Sequence, residues 1–457
     1  MKKIFSVVFF TSIFLRGLSQ DKEADTTSLR HALLKGSLDL HFRLYYMTTQ
    51  NAQELSDYYA WAFGGGMTYE TGKFKGFQFG VGGFFTWNLG SSDLAAKDSL
   101  SGASNRYEIG QFDITDPANK NELSRLEEFY LKYNYKKSFV RIGRSLINTP
   151  LINPQDGRMR PTAVEGIWAE VNDISKTKLQ GGWIRRFSPR GTIDWYAAGE
   201  SIGLYSTGVN TDGTKSGYKG NLESSGVAVL GAQYKPKQNI QLQAWNYYID
   251  EIMNTFMVQG DGIFALQGKN KLITGLQYTH QRALKDGGNA DPRKTFFDPN
   301  QTANIISGRI GVDTREGKLF FNYTRITKDG RFLSPREWGR EAFYTFLKRE
   351  RNEGFGDVHA MTVNAIRSWD KKRLTTELSY GYYDMPSVNN FAMSKYGLPS
   401  YHQFLTDITY DFTGFLEGLK LELLYTYKLN ATSVEDPKAI INKVNMHHLN
   451  FILNYRL

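Results

Sequence analysis

The side chains of this chain best suited to chemistry crowd one polar stretch, INTPLINPQDGRMRP, inside Leu146 to Ala163. Asp156, Arg158 and Arg160 lie in it, and Arg141, Arg144 and Glu165 flank it. Nothing there pairs a nucleophile with a base. The chemistry on offer is electrostatic: steering and holding charged solutes where low-dielectric walls focus the field on a narrow passage. Arg141, Asp156, Arg158, Arg160 and Glu165 are therefore the candidate constriction and solute-guiding residues. The competing role is mechanical, with Arg158 and Arg160 pairing with Asp156 or Glu165 to pin the loop.

A second basic cluster runs from Asp329 to Gly356. Arg331, Arg336, Arg340, Arg349 and Arg351 alternate there with Trp338, Phe343, Tyr344 and Phe346. Guanidinium grips a carboxylate in a two-pronged way, and a ring offers its face to the apolar part of a solute. The cluster reads as a vestibule for organic anions. Its alternatives are contact with anionic lipopolysaccharide outside the pore, or a plain solvated loop.

Bond-making chemistry has no comparable signature. No Cys occurs, which removes disulfides and thiolates. The seven His are scattered, and no His-Glu-x-x-His zinc motif is present. His447 and His448 are neighbours, so on a strand they point to opposite faces. Gly64, Gly65 and Gly66 fall inside a strand-like segment, where lack of side-chain bulk and a bend explain them better than phosphate binding. No cofactor or metal is implied.

The elements that must position these residues are strands. The chain has 457 residues, with 27 Tyr, 30 Phe and 44 Gly, and its mean hydropathy is −0.45. No apolar run after the N-terminus is long enough for a membrane helix. Composition alone suits either a soluble propeller or sandwich, or a barrel with one face to lipid and one to water. Alternation decides between them. In Ser37–Met47, Leu38, Leu40, Phe42, Leu44 and Tyr46 share one face, opposite Asp39, His41, Arg43 and Tyr45. Eighteen such segments follow one another to Asn445–Leu457, with no propeller-like repeat. Phe139–Ser145 and Val164–Val171 bracket the polar stretch. Alternation puts Val140 and Ile142 toward lipid and Arg141 inward. Arg144 points toward lipid unless it sits at a rim.

Connections alternate between short turns (KPKQN, QGKN, EGK, DKK, TGFLEG) and long polar loops, with Asp250–Ile252 the one short member of the long set. Ser188–Ser225, which contains WYAAGE, is assigned to a loop, because a strand there would make the count odd. The fold class is all-β: an 18-stranded antiparallel transmembrane β-barrel whose third extracellular loop folds inward. Lys2, Lys3, the apolar Ile4–Leu15 and small Gly17 and Ser19 mark residues 1–19 as an export signal. A short periplasmic segment, 20–36, and the barrel, 37–457, follow. Leu449, Phe451, Leu453, Tyr455 and Leu457 alternate to the chain end, which resembles the terminal assembly signal of outer-membrane barrels, though Leu replaces the usual Phe.

Two stretches carry a family likeness: YETGKFKG, Tyr69 to Gly76, and IGRSLINTPLINPQDGRMRPTAVEG, Ile142 to Gly166. With REWGRE, Arg336 to Glu341, they resemble the OprD-like outer-membrane porins. Ser145 departs from the Gln that often follows the Gly-Arg pair. The resemblance implies an 18-stranded monomeric pore, an inward third loop and a row of basic residues guiding carboxylate-bearing solutes. The reading is thus a porin of the cell outer membrane for passive diffusion of small hydrophilic solutes, carboxylates among them. Its expected partners are small polar or anionic solutes, outer-membrane lipid, lipopolysaccharide and the barrel-assembly machinery, but no nucleic acid. A barrel-embedded hydrolase and a soluble glycan-binding β protein are the alternatives.

Overall fold

The computed structural model describes residues 28–154, 158–349 and 351–457. The expected export signal and Asp156 lie outside the described residues.

Eighteen antiparallel strands form the wall. They are β1 (Ser37–Gln50), β2 (Tyr58–Glu70), β3 (Phe77–Ser91), β4 (Ser124–Tyr135), β5 (Ser138–Ser145) and β6 (Ala163–Val171). Next come β7 (Thr177–Ser188), β8 (Val227–Lys237), β9 (Ile240–Ile249), β10 (Met253–Ala265), β11 (Lys271–Ala283) and β12 (Thr302–Asp313). The last are β13 (Lys318–Ile326), β14 (Val358–Trp369), β15 (Leu374–Asp384), β16 (Tyr401–Asp411), β17 (Leu419–Asn430) and β18 (Met446–Arg456). Each strand pairs with the next, and β1 pairs with β18 from His41 opposite Arg456 to Gln50 opposite His447. Closure leaves no strand edge unpaired, as a hydrocarbon surround requires. WYAAGE contributes only a two-residue strand, Tyr196–Ala197, laid on β7. The wall itself passes from β7 directly to β8.

Both wall ends lie on the short-turn side, where Leu40 and Leu457 exchange backbone hydrogen bonds. A short helix, Leu29–Leu34, precedes β1 there and is tied to the β2–β3 turn by the Gly72 amide, which donates to the Ala32 carbonyl. Large apolar side chains of the lipid face are exposed, Leu230, Leu276, Ile310, Leu378 and Phe404 among them. The opposite face is polar near the short turns and buried near the long loops. In β1 the inward Tyr45, Met47 and Thr49 are covered, while Asp39 is exposed. The loops therefore fill the loop-side half of the barrel, and that half holds the core.

Two glycines set the frame of the third loop. Gly143 and Gly166 face each other across β5 and β6. Gly143 has φ +122°, and a Cβ on it would lie 2.3 Å from the Phe129 carbonyl oxygen. The Gly64–Gly66 run causes no break, since it pairs in register with β1. Its role is room, for the Phe84 ring and for Met159 of the third loop.

Candidate functional site: a basic vestibule held by two inward loops

The described parts of the third loop, residues 146–154 and 158–162, turn into the barrel and are tied down at several points. Thr149 and Ile152 close a tight turn, with the Thr149 amide donating to the Ile152 carbonyl at 2.9 Å. Arg141, on the inner face of β5 over the Tyr130 ring, donates to the Leu146 carbonyl at 3.0 Å. Arg43 of β1 donates to the Arg158 carbonyl. Arg160 is 1% exposed and donates to the carbonyls of Leu123 and Phe112, both at 2.8 Å. Burial pulls its pKa down to about 9. Arg160 is thus a pin, whereas Arg158 lines the open space above. Arg144 and Glu165 pair at 2.8 Å with Trp195 stacked on the guanidinium. They alternate with inward Ser145 and Val164, so they lie on the outer side of the rim, and Glu165 joins no constriction.

The seventh loop, residues 327–357, reaches further in. The expectation of one inward loop accounts for half of the arrangement. Inward amides of the wall receive its backbone: Gln281 bonds both the carbonyl and the amide of Leu333, Gln277 donates to the Ala342 carbonyl, and Gln403 donates to the Lys348 carbonyl. These bonds satisfy polar groups that the loop would otherwise bury alone. Tyr344 donates to Asp261 of β10 at 2.6 Å, and Thr345 bonds Thr324 of β13 at 2.7 Å. Lys348 reaches Asp407 of β16 and Glu422 of β17. Arg349, in the left-handed region at φ +84°, bonds His448, Tyr45 and Asn450 around the β18–β1 seam. Ala342 to Arg349 therefore crosses much of the inner wall, from β10 round to β1.

The two loops meet at REWGRE. The Trp338 carbonyl accepts from the Asn153 amide, and the Glu337 carbonyl from Thr162. Trp338 stacks on Phe187 at 4.2 Å, its indole N–H on Ser201. The acids of this segment point inward. Glu337 accepts from the amides of Gly203 and Tyr205, and Glu341 from Asn352 and Glu353. Burial pushes Glu341 up to about 7. The arginines of the seventh loop take two roles. Arg336 pairs with Glu353, stacks on Tyr396 at 4.0 Å and borders the cavity. Arg331 is buried and binds the carbonyls of Val209, Asn210 and Phe391, tying the fourth and eighth loops to the seventh.

Above these loops lies a cavity of about 870 Å³. Its cations come from six loops: Arg106; Arg158; Arg190 and Lys215; Arg336, Arg349 and Arg351; Lys395; Lys438 and Lys443. Asp436 is the one carboxylate among its described lining residues. Of the residues expected in the vestibule, Arg336, Arg349 and Arg351 border the cavity, while Arg331 and Arg340 do not. Sequence reasoning missed Arg106, Arg190, Lys215, Lys395, Lys438 and Lys443, each a separate basic residue in a long polar loop. Lys395 is 2% exposed, with its Nζ 4.6 Å from the centres of the Tyr218 and Phe296 rings. Burial lowers its pKa to about 8. The arrangement acts by charge and width. Among the described residues no group of three metal-ligating side chains exists.

The family model for "outer membrane porin, OprD family" matches residues 34–346. No curated protein matches the chain. Solved structures share its fold. Pseudomonas aeruginosa OccK9 (OpdG) superposes with a TM-score of 0.71 at 17% identity, over 93% of this chain and 99% of that one. Acinetobacter baumannii OccAB1 gives 0.71 at 14% identity, over 95% and 99%. Pseudomonas aeruginosa OpdK, solved with vanillate, gives 0.68 at 16%, over 93% and 99%. With the family match spanning well over half its length and a closed 18-stranded wall beneath inward loops, the chain belongs to the OprD family of outer membrane porins.

Proposed function

We propose that this outer membrane porin favours anions and that carboxylate-bearing solutes are its best-suited cargo. The observation that carries the reading is the lining of the vestibule, ten cationic side chains against Asp436. A solute entering there meets guanidinium forks, among them Arg158 of the third loop and Arg349 of the seventh. Rings at Phe346 and Tyr396 offer apolar faces beside those charges. The capture of vanillate, an aromatic carboxylate, in OpdK accords with this reading. Arg141, Arg158 and Arg349 take the guiding roles, and Arg160 and Arg331 hold loops.

Residues 1–19 act as the export signal and 20–36 as a short periplasmic segment; the helix Leu29–Leu34 on the short-turn side supports the latter. The alternation of β18 suits recognition by the barrel-assembly machinery. The reading assigns no bond-making step to the chain, and lipid hydrolysis by the purified protein would overturn that part. Liposome swelling tests the cargo. Small mono- and dicarboxylates should enter faster than neutral sugars or cationic amino acids of similar size, and equal rates for all three would refute the preference.

A further inference from the structure

On the lipid face of the loop-side rim, one arrangement occurs three times. The Tyr323 hydroxyl lies 2.7 Å from His359 Nδ1, Tyr380 lies 2.8 Å from His402 Nδ1, and Tyr425 lies 2.7 Å from His447 Nδ1. In each case the His is the second residue of a strand descending from a long loop, namely β14, β16 or β18. The Tyr is always on the preceding strand, diagonal to it. The residues directly opposite the histidines are Arg325, Tyr382 and Tyr427. Two positions further along the same strands lie Met361, Phe404 and Leu449, all exposed and apolar. The histidines thus stand where the hydrocarbon-facing surface ends, the level at which amphipathic rings collect in membrane proteins.

From this placement we propose that the three Tyr–His pairs form a docking surface for phosphate-bearing lipid headgroups of the surrounding leaflet. A phenol donating to Nδ1 leaves the imidazole proton on Nε2. Each pair then keeps one N–H donor at the headgroup level, and no described residue accepts a hydrogen bond from any of the three Nε2 atoms. Phosphate oxygens are the strong acceptors found at that level, and a bond to an ionised acceptor exceeds one between neutral groups. Successive histidines stand two strands apart and two residues out of register, about 12 Å from one another. That is too far for two to share a metal and leaves space for a separate headgroup at each. The Arg325 guanidinium beside His359, paired with Asp357, adds a cation at the same height.

The test is native mass spectrometry of the detergent-solubilised full chain, titrated with phosphatidic acid or with diacylglycerol of the same tails. The wild type should retain phosphatidic acid and discriminate against diacylglycerol. His359→Phe/His402→Phe/His447→Phe keeps a ring of similar size and should bind phosphatidic acid roughly tenfold more weakly, as expected on losing hydrogen bonds to a charged group. The triple His→Gln variant keeps an N–H donor and should recover most of the loss. Heat-modified gel migration verifies that each variant is a folded barrel. Equal retention of the two lipids by the wild type, or equal retention of phosphatidic acid by wild type and Phe variant, would overturn the proposal. So would failure of the folded Gln variant to recover binding.

Discussion

Lys348, carried into the barrel by the seventh loop, stands 2.6 Å from Asp407 on the wall, and Glu422 takes its other side at 2.7 Å. The two carboxylates hold the lysine above its usual pKa range despite its partial burial. The contact fixes how far the loop tip intrudes. Lys348→Met leaves two wall carboxylates facing each other and frees the tip. Single-channel recording should show higher conductance and more open-state noise, with the folded fraction unchanged.

Arg158 and Arg160 are two residues apart and should separate cleanly. Arg158 borders the vestibule, so Arg158→Gln should lower anion preference. Arg160 serves two buried carbonyls. Arg160→Ala leaves the Phe112 carbonyl without a donor and the Leu123 carbonyl with the Thr86 amide alone, at a cost of about 1–3 kcal/mol by the usual penalty for such groups. Reversal potentials check the first, and denaturation followed by tryptophan fluorescence checks the second.

The wall was legible in the sequence because alternation is enforced by two different solvents, and a one-residue slip would expose charge to lipid. The third loop was legible because two charged arginines between prolines stood out from strand-like neighbours. The seventh was not, because its inward path is fixed by wall residues far away in sequence, such as Gln277, Gln403 and His448. Asp261 and Asp407 look like ordinary pore-facing acids until Tyr344 and Lys348 reach them. Glu165 shares its face of β6 with the exposed Ile167, opposite the inward Val164 and Trp168, so plain strand alternation sets it outside the pore to which its charge had assigned it. The split between lining and pinning arginines lies in side-chain partners that spacing does not record.

Lys395 gives the vestibule a pH dependence. Its depressed pKa near 8, caused by burial among rings, means that it loses its charge as pH rises through that value. Anion preference should therefore weaken between pH 7 and pH 9, and Lys395→Met should remove the step. The linked effect on stability has the opposite direction. Between about 8 and the ordinary lysine range the unfolded chain binds more protons than the folded one, so this group's contribution to stability rises with pH. Reversal potentials and urea midpoints at matched pH values check the two signs.

Gly143 lies where β5 hands over to the third loop, at a positive φ and against the Phe129 carbonyl. Gly143→Ala should cost about 2 kcal/mol or more, since strain and a clash add. The half-buried Gly90 has open space where a Cβ would stand and an ordinary conformation. Gly90→Ala should change the urea midpoint little, which makes it the control.

The most direct test of the account is the reversal potential of the reconstituted channel under a potassium chloride gradient, compared with that of Arg158→Gln/Lys215→Gln/Lys438→Gln. The account predicts a wild-type potential displaced toward the chloride equilibrium value, and a severalfold drop in the chloride-to-potassium permeability ratio in the folded variant. A wild-type potential on the potassium side, or one that the triple substitution leaves unmoved, would contradict it.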